Sequence, residues 1–182
     1  YSYGRMVAGL IYFNALRYPD AIRQFTKAGA LDTVYTSAAN QSIGLCMIRQ
    51  GDMKGAIPFL KAALAKDPKA QSAQGNLALS YYQLKDYGHA LTAYENLAKL
   101  TPKDYNAYVG LGNCYYSMNR FAEALTNYDR ALKLAPNVAT VLKNKALALM
   151  RLGRKAEACA QFQQAAARGD APSAGMLNTY CK

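Results

Sequence analysis

Apolar and small residues recur along this chain in paired bursts at helical spacing, and each pair is closed by a turn. The pattern is sharpest between residues 105 and 138. There Tyr108, Leu111, Gly112 and Tyr115 fall on one side of a first helix, and Phe121, Ala124, Leu125, Tyr128, Ala131 and Leu132 on one side of a second. Asn119 and Arg120 separate the two, and Pro136 stops the second, because it lacks a backbone N–H and its ring clashes with the carbonyl four residues back.

A shift of 34 residues restores the pattern. Upstream it brings Leu77, Ala78, Tyr81, Ala90, Tyr94 and Pro102 onto the same positions, then Ile43, Gly44, Met47, Ala56, Ala63 and Pro68. Downstream come Ala146, Leu149, Ala158, Phe162 and Ala165, and a divergent copy with one extra residue near Leu31 opens the chain with Gly9, Tyr12, Ala21, Phe25 and Ala28. Turns are expected at 17–20, Gly51-Asp52, 85–87, 118–120 and Gly153-Arg154, with Asp52 a candidate helix cap. Pro58 predicts a mild irregularity early in its helix. The break at 169–172 predicts one more short helix behind it.

The Tyr-x2-Leu-Gly-x2-Tyr helix followed by an Ala-x3-Tyr helix and a Pro resembles the tetratricopeptide repeat (TPR). The resemblance implies an all-α, right-handed α-α superhelical solenoid forming a single domain over 1–182. Its hairpins would cover 2–36, 37–70, 71–104, 105–138 and 139–172, with a capping helix at 173–181. Each hairpin of such a fold buries its apolar face only against its neighbours, so about three are needed for stability. Departures from the pattern carry their own expectations. Asn40, Gln74 and Leu142 replace the aromatic residue at the fourth position, so less bulk should pack at those junctions. Leu97 stands where a small Ala is expected, and Asp170 where the last copy would have Pro.

Composition changes this picture in two ways. The formal charge of +11 raises nucleic acid, membrane surfaces and acidic proteins as partners. The basic residues are spread singly, with no run and no nucleic-acid motif, so the expectation is a solvated basic surface with no nucleic-acid partner. No window is apolar enough to span a membrane, and no signal-peptide pattern opens the chain. Tyr1 in place of an initiator Met predicts a processed or excised piece.

Candidate chemistry is sparse. The single histidine, His89, sits at the start of a second helix with no phosphate loop, paired-cysteine metal motif or nucleophile elbow, so neither an enzyme nor a cofactor is expected. Cys46 and Cys114 share one repeat position two periods apart and are expected to be free buried thiols. Cys159 and Cys181 each lie eleven residues from Asp170, so an antiparallel pair folded there brings them level. Either a disulfide or two reduced thiols fits that spacing. The segment also resembles the end of some secreted bacterial TPR proteins, which implies a periplasmic or secreted setting.

The second face of the first helices is apolar where an amphipathic helix would be polar. It carries Met6, Leu10 and Phe13, then Leu45 and Ile48, Leu79 and Tyr82, Val109 and Tyr116, and Leu147 and Met150. In TPR proteins these positions line a concave groove that holds an extended peptide or a partner helix. A competing expectation is that they are core rim, half covered by the adjacent first helix. Asn113, Lys143, Asn144 and Arg151 add polar groups toward the C-terminal half. Asn113 and Asn144 match two positions of the carboxylate clamp that some TPR proteins apply to heat-shock chaperone tails. Val109, Ala174 and Asn178 stand where its other cations belong, so that clamp is not expected. These features point to a non-enzymatic scaffold whose partner is a protein or peptide. A self-associating solenoid and an accessory module of a larger enzyme are the alternatives.

Overall fold

The computed structural model describes residues 1–181. Among them the chain forms eleven α-helices and no strand. They are α1 (Ser2–Asn14), α2 (Tyr18–Leu31), α3 (Thr36–Arg49), α4 (Met53–Lys66), α5 (Gln71–Gln83), α6 (Tyr87–Leu100), α7 (Tyr105–Ser117), α8 (Phe121–Leu134), α9 (Ala139–Arg151), α10 (Lys155–Ala166) and α11 (Ala171–Tyr180). A short 3-10 turn, Thr33–Tyr35, absorbs the extra residue near Leu31. The helices fall into two compact units, α1–α6 and α7–α11, the second beginning at Thr101. Within each unit every helix packs on the next in sequence, so the chain builds hairpin on hairpin. None of these helices is long and apolar enough to cross a membrane.

Each hairpin turn is made the same way. One residue takes a left-handed conformation: Leu16, Gly51, Lys85, Asn119 and Gly153, with φ between 58° and 84°. The N–H of the following residue then reaches back five residues to the first helix. Arg17 donates to the Tyr12 carbonyl, Asp52 to Met47, Asp86 to Tyr81, Arg120 to Tyr115 and Arg154 to Leu149, at 2.8–2.9 Å. Glycine adopts that conformation freely and asparagine readily, whereas Leu16 and Lys85 hold it at a cost.

The second helix then starts on one of two devices. Asp52 caps α4 by accepting the Gly55 N–H at 2.8 Å. Arg17, Arg120 and Arg154 offer no acceptor and instead pair with a carboxylate three residues on, Asp20, Glu123 and Glu157, at 2.6–2.7 Å. Hydrogen bonds from Arg120 and Arg154 hold Glu123 and Glu157 below the usual carboxylate range. Arg17 and Arg120 also lie over the rings of Tyr12 and Tyr115, at 4.8 and 4.7 Å. One side chain thus ties the first helix, the turn and the second helix together.

Inside each hairpin a small residue on the first helix meets a large one on the second. A Cβ on Gly112 would lie 2.5 Å from the Tyr128 ring, and one on Gly44 would lie 2.8 Å from Leu60; Gly9 is pressed just as closely by Phe25. Phe25, Leu60, Tyr128 and Phe162 are almost wholly buried. Pro58 lies inside α4 and the helix runs unbroken through it. The terminal helix starts at Ala171, two residues before the expected boundary, with Pro172 in its first turn.

A disulfide joins Cys159 on α10 to Cys181 just beyond α11, with Cα atoms 5.7 Å apart. Cys46 and Cys114 are free and buried. Burial pushes their thiols up to about 11 and about 12, which keeps them protonated and inert at neutral pH.

Two predictions follow from this packing. Gly112→Ala should lower stability by about 1–3 kcal/mol, because the added methyl meets a ring whose hydroxyl is anchored elsewhere; an unchanged urea midpoint would show that the ring moves aside freely. Replacing both Cys159 and Cys181 by Ser should cost roughly 3 kcal/mol by freeing a loop of 22 residues. The loss should be read as faster amide exchange across α11, and unchanged exchange there would show that the helix docks without the bond.

Candidate functional site

In the first unit the apolar residues of the first-helix face are mostly half-buried. Met6 and Phe13 pack on the buried cluster of Ala21, Phe25, Ala39, Ile43 and Cys46. Leu45, Ile48, Leu79 and Tyr82 are half-buried, while Leu10 keeps 50% of its surface exposed. Part of that cover comes from inside the hairpin. Phe13 meets Tyr18 edge-on with ring centroids 5.6 Å apart, and Tyr82 meets Tyr87 at the same distance.

The second unit repeats the aromatic pair, with Tyr116 against Phe121 at 5.3 Å. Sequence reasoning did not pair Tyr18, Tyr87 or Phe121 with this face, and it placed Phe121 only on the packing side of the second helix. The signal was present, because each lies five residues after the aromatic it meets, across a turn of fixed geometry. The Arg151 guanidinium sits over Phe121 at 5.1 Å, so its charge is delivered to the rim of this cluster. Val109, Leu147 and Met150 are half-buried beside it in the sequence of α7 and α9.

The polar residues form two separate groups. Asn113 Oδ1 accepts from the Tyr128 hydroxyl at 2.8 Å and from Asn144 Nδ2 at 3.1 Å. The two amides are therefore committed to each other. Among the described residues this leaves over both N–H groups of Asn113 Nδ2, one N–H of Asn144 Nδ2 and the Asn144 Oδ1 acceptor. Lys143 turns elsewhere, donating to Asp170 at 3.4 Å. Asp170 also caps α11, accepting the Ser173 N–H at 2.9 Å and the Ser173 hydroxyl at 2.5 Å. Burial alone would push this carboxyl up, but the two bonds from Ser173 and the Lys143 charge together hold it below the usual range. Among the described residues no three His, Cys, Asp or Glu side chains are placed to hold a metal ion. His89 is exposed, with Nδ1 on Asp86 at 2.8 Å and its ring stacked on Tyr81 at 5.0 Å.

This geometry defines an all-α solenoid of helical hairpins that displays repeated side chains on its first helices. Models of the tetratricopeptide repeat match residues 105–138 and 47–91, and the chain is a tetratricopeptide-repeat protein. Repeats of this kind make it a protein-interaction scaffold. No curated protein sequence matches the chain. Solved structures show the same fold. A crystal structure of MamA protein superposes with a TM-score of 0.86 at 21% identity, covering 98% of this chain and 94% of that one. The MamA RS-1 ArsTM double mutant gives 0.87 at 16% identity, covering 92% and 93%. MamA AMB-1 gives 0.78 at 23% identity, covering 97% of each chain.

The Asp170 cluster carries a pH signature. A carboxyl whose folded pKa is depressed contributes its stability in full above its unfolded pKa and loses it as pH falls through the folded value. Asp170→Ala should therefore cost about 1 kcal/mol at neutral pH, and the gap to the parent should close in acid, below the ordinary carboxyl range. Urea titrations of both proteins across that window check this; a gap that stays constant would show that the charge contributes nothing.

Proposed function

We propose that the first-helix face of each unit receives an extended, largely apolar polypeptide segment, and that the chain is a non-enzymatic scaffold. The observation that carries the reading is the amide pair of the second unit, which keeps N–H donors and the Asn144 Oδ1 acceptor to spare in the same unit as the Tyr116–Phe121 cluster. A peptide backbone in extended form presents a complementary carbonyl and N–H. Tyr82 in the first unit and Tyr116 in the second are half-buried anchors already fixed by a ring partner, so they bind at low cost in side-chain entropy. Arg151, exposed and without a carboxylate partner among the described residues, biases the face of the second unit toward segments with acidic flanks. Lys143 does not share that role, since its ammonium is engaged by Asp170.

A second reading has its own observation. Tyr3, Leu10 and Ile11 on α1 are 68%, 50% and 63% exposed, an apolar surface that a second copy of the chain would cover. Sedimentation across a concentration series separates the two readings.

The peptide reading is tested with a segment selected from a random peptide library against the parent protein. Tyr82→Ala and Tyr116→Ala should each cost on the order of 1–3 kcal/mol of affinity. Arg151→Glu should slow association with an acidic-flanked segment and flatten its salt dependence. Equal affinity for the parent and for the double tyrosine variant would move the site off this face.

A further inference from the structure

An open recess of about 370 Å³ lies in the first unit among Leu64, Pro68, Gln74, Asn96, Lys99 and Leu100. It is away from the first-helix face and independent of the reading above. Its origin is visible one repeat later. The residues 34 positions on include Pro102, Tyr108 and Arg130. In the second unit the Tyr108 ring is buried, its hydroxyl donates to the Pro102 carbonyl at 3.2 Å, and the Arg130 guanidinium lies 4.2 Å from the ring centroid. That arrangement is a phenol in a fitted slot.

In the first unit Gln74 stands where Tyr108 stands. Its side chain turns inward and donates from Nε2 to the Ala93 carbonyl at 3.0 Å, with only 6% of the residue exposed. The space a ring would fill is left open. Apolar surface from Leu64, Pro68 and Leu100 lines it, and Lys99 stands at its wall without an ion-pair partner among the described residues. The Pro68 carbonyl, counterpart of the one that binds the Tyr108 hydroxyl, accepts no hydrogen bond among the described residues. The recess is at the small end of the ~300–1,000 Å³ typical of ligand pockets, which suits a single ring.

We propose that this recess binds a p-alkylphenol, the group that a tyrosine side chain carries. The ring lies against Leu64, Pro68 and Leu100, the hydroxyl donates to the Pro68 carbonyl as Tyr108 does to Pro102, and Lys99 supplies a cation at the wall from a different repeat position than Arg130, whose counterpart is Asn96. The assignment rests on the internal repeat: the same scaffold positions already hold a phenol when the chain provides one, and at Gln74 it provides none.

The test is a titration followed by NMR of the Leu64 and Leu100 methyl groups and the Gln74 side-chain amide. The probes are p-cresol, toluene and N-acetyltyrosine amide. Saturable shifts with p-cresol at about millimolar concentration are expected, with toluene weaker by roughly tenfold for want of the hydroxyl bond. N-acetyltyrosine amide binding alongside p-cresol assigns the site to a tyrosine presented by a polypeptide, and p-cresol binding alone assigns it to a free small phenol. Gln74→Tyr should fill the slot from within, abolish the shifts and raise the thermal midpoint by a few degrees. Gln74→Ala, which leaves the recess open, should keep binding even if the tyrosine variant folds poorly. Shifts that do not saturate, toluene binding as tightly as p-cresol, or loss of binding in Gln74→Ala would each overturn the proposal.

Discussion

How near the two helices of a hairpin can approach sets everything else in this protein. Gly9, Gly44 and Gly112 leave no Cβ where Phe25, Leu60 and Tyr128 press in, and Ala78 and Ala146 occupy the same register in the other two hairpins. A close approach fixes the register along the helices, because a large side chain can enter only opposite the gap. The register then decides which side chains of the first helix are left facing outward. The half-buried face with Tyr82 or Tyr116 is thus a consequence of where the glycine or alanine sits, one residue type in each helix governing the exposure of several others.

The charge distribution follows a comparable economy. Of the eleven acidic residues, ten are engaged by the fold itself. Asp32, Asp52, Asp67, Asp104 and Asp170 accept backbone N–H groups at turns and helix starts. Asp20, Asp86, Glu123, Asp129 and Glu157 pair with cationic or imidazole side chains. Among the described residues Glu95 alone has neither role. The field that reaches solvent is positive because lysine and arginine outnumber the carboxylates by eleven, whichever of them are paired. A partner meets that field before it meets any side chain, and acidic segments are steered toward the protein. The steering needs no basic motif, which is why the singly spread lysines and arginines gave no pattern to recognise.

Helix order, hairpin turns and the buried stripe were legible in the sequence because they depend on spacing, and spacing survives substitution. Asn113, Lys143, Asn144 and Arg151 were legible as polar residues on an apolar face, but their engagement was not. Whether Asn144 faces solvent or the Asn113 carbonyl depends on residues 31 positions apart in the chain, and the turn of Lys143 toward a cap on α11 on residues 27 apart. The left-handed conformations of Leu16 and Lys85 were hidden for a different reason. Their side chains carry no preference for it; the requirement comes from the hydrogen bond that closes the turn, and the backbone imposes it on whichever residue stands there.

A repeat protein also supplies its own controls, since each hairpin shows what the scaffold does with a given position. Tyr108, Gln74 and Leu142 occupy one position in three hairpins, and only the tyrosine draws a cation over a ring and a hydroxyl onto a proline carbonyl. Leu142 buries itself to 3% exposure and needs no polar partner. Gln74 is the misfit: an amide satisfied by the Ala93 carbonyl, beside a recess that its own side chain does not fill. A loss of packing at one junction costs stability that neighbouring hairpins can supply, because each interface contributes its own increment to the whole. Such a scaffold can therefore carry an open recess at one junction, and departures from the repeat are where local packing stops explaining the sequence.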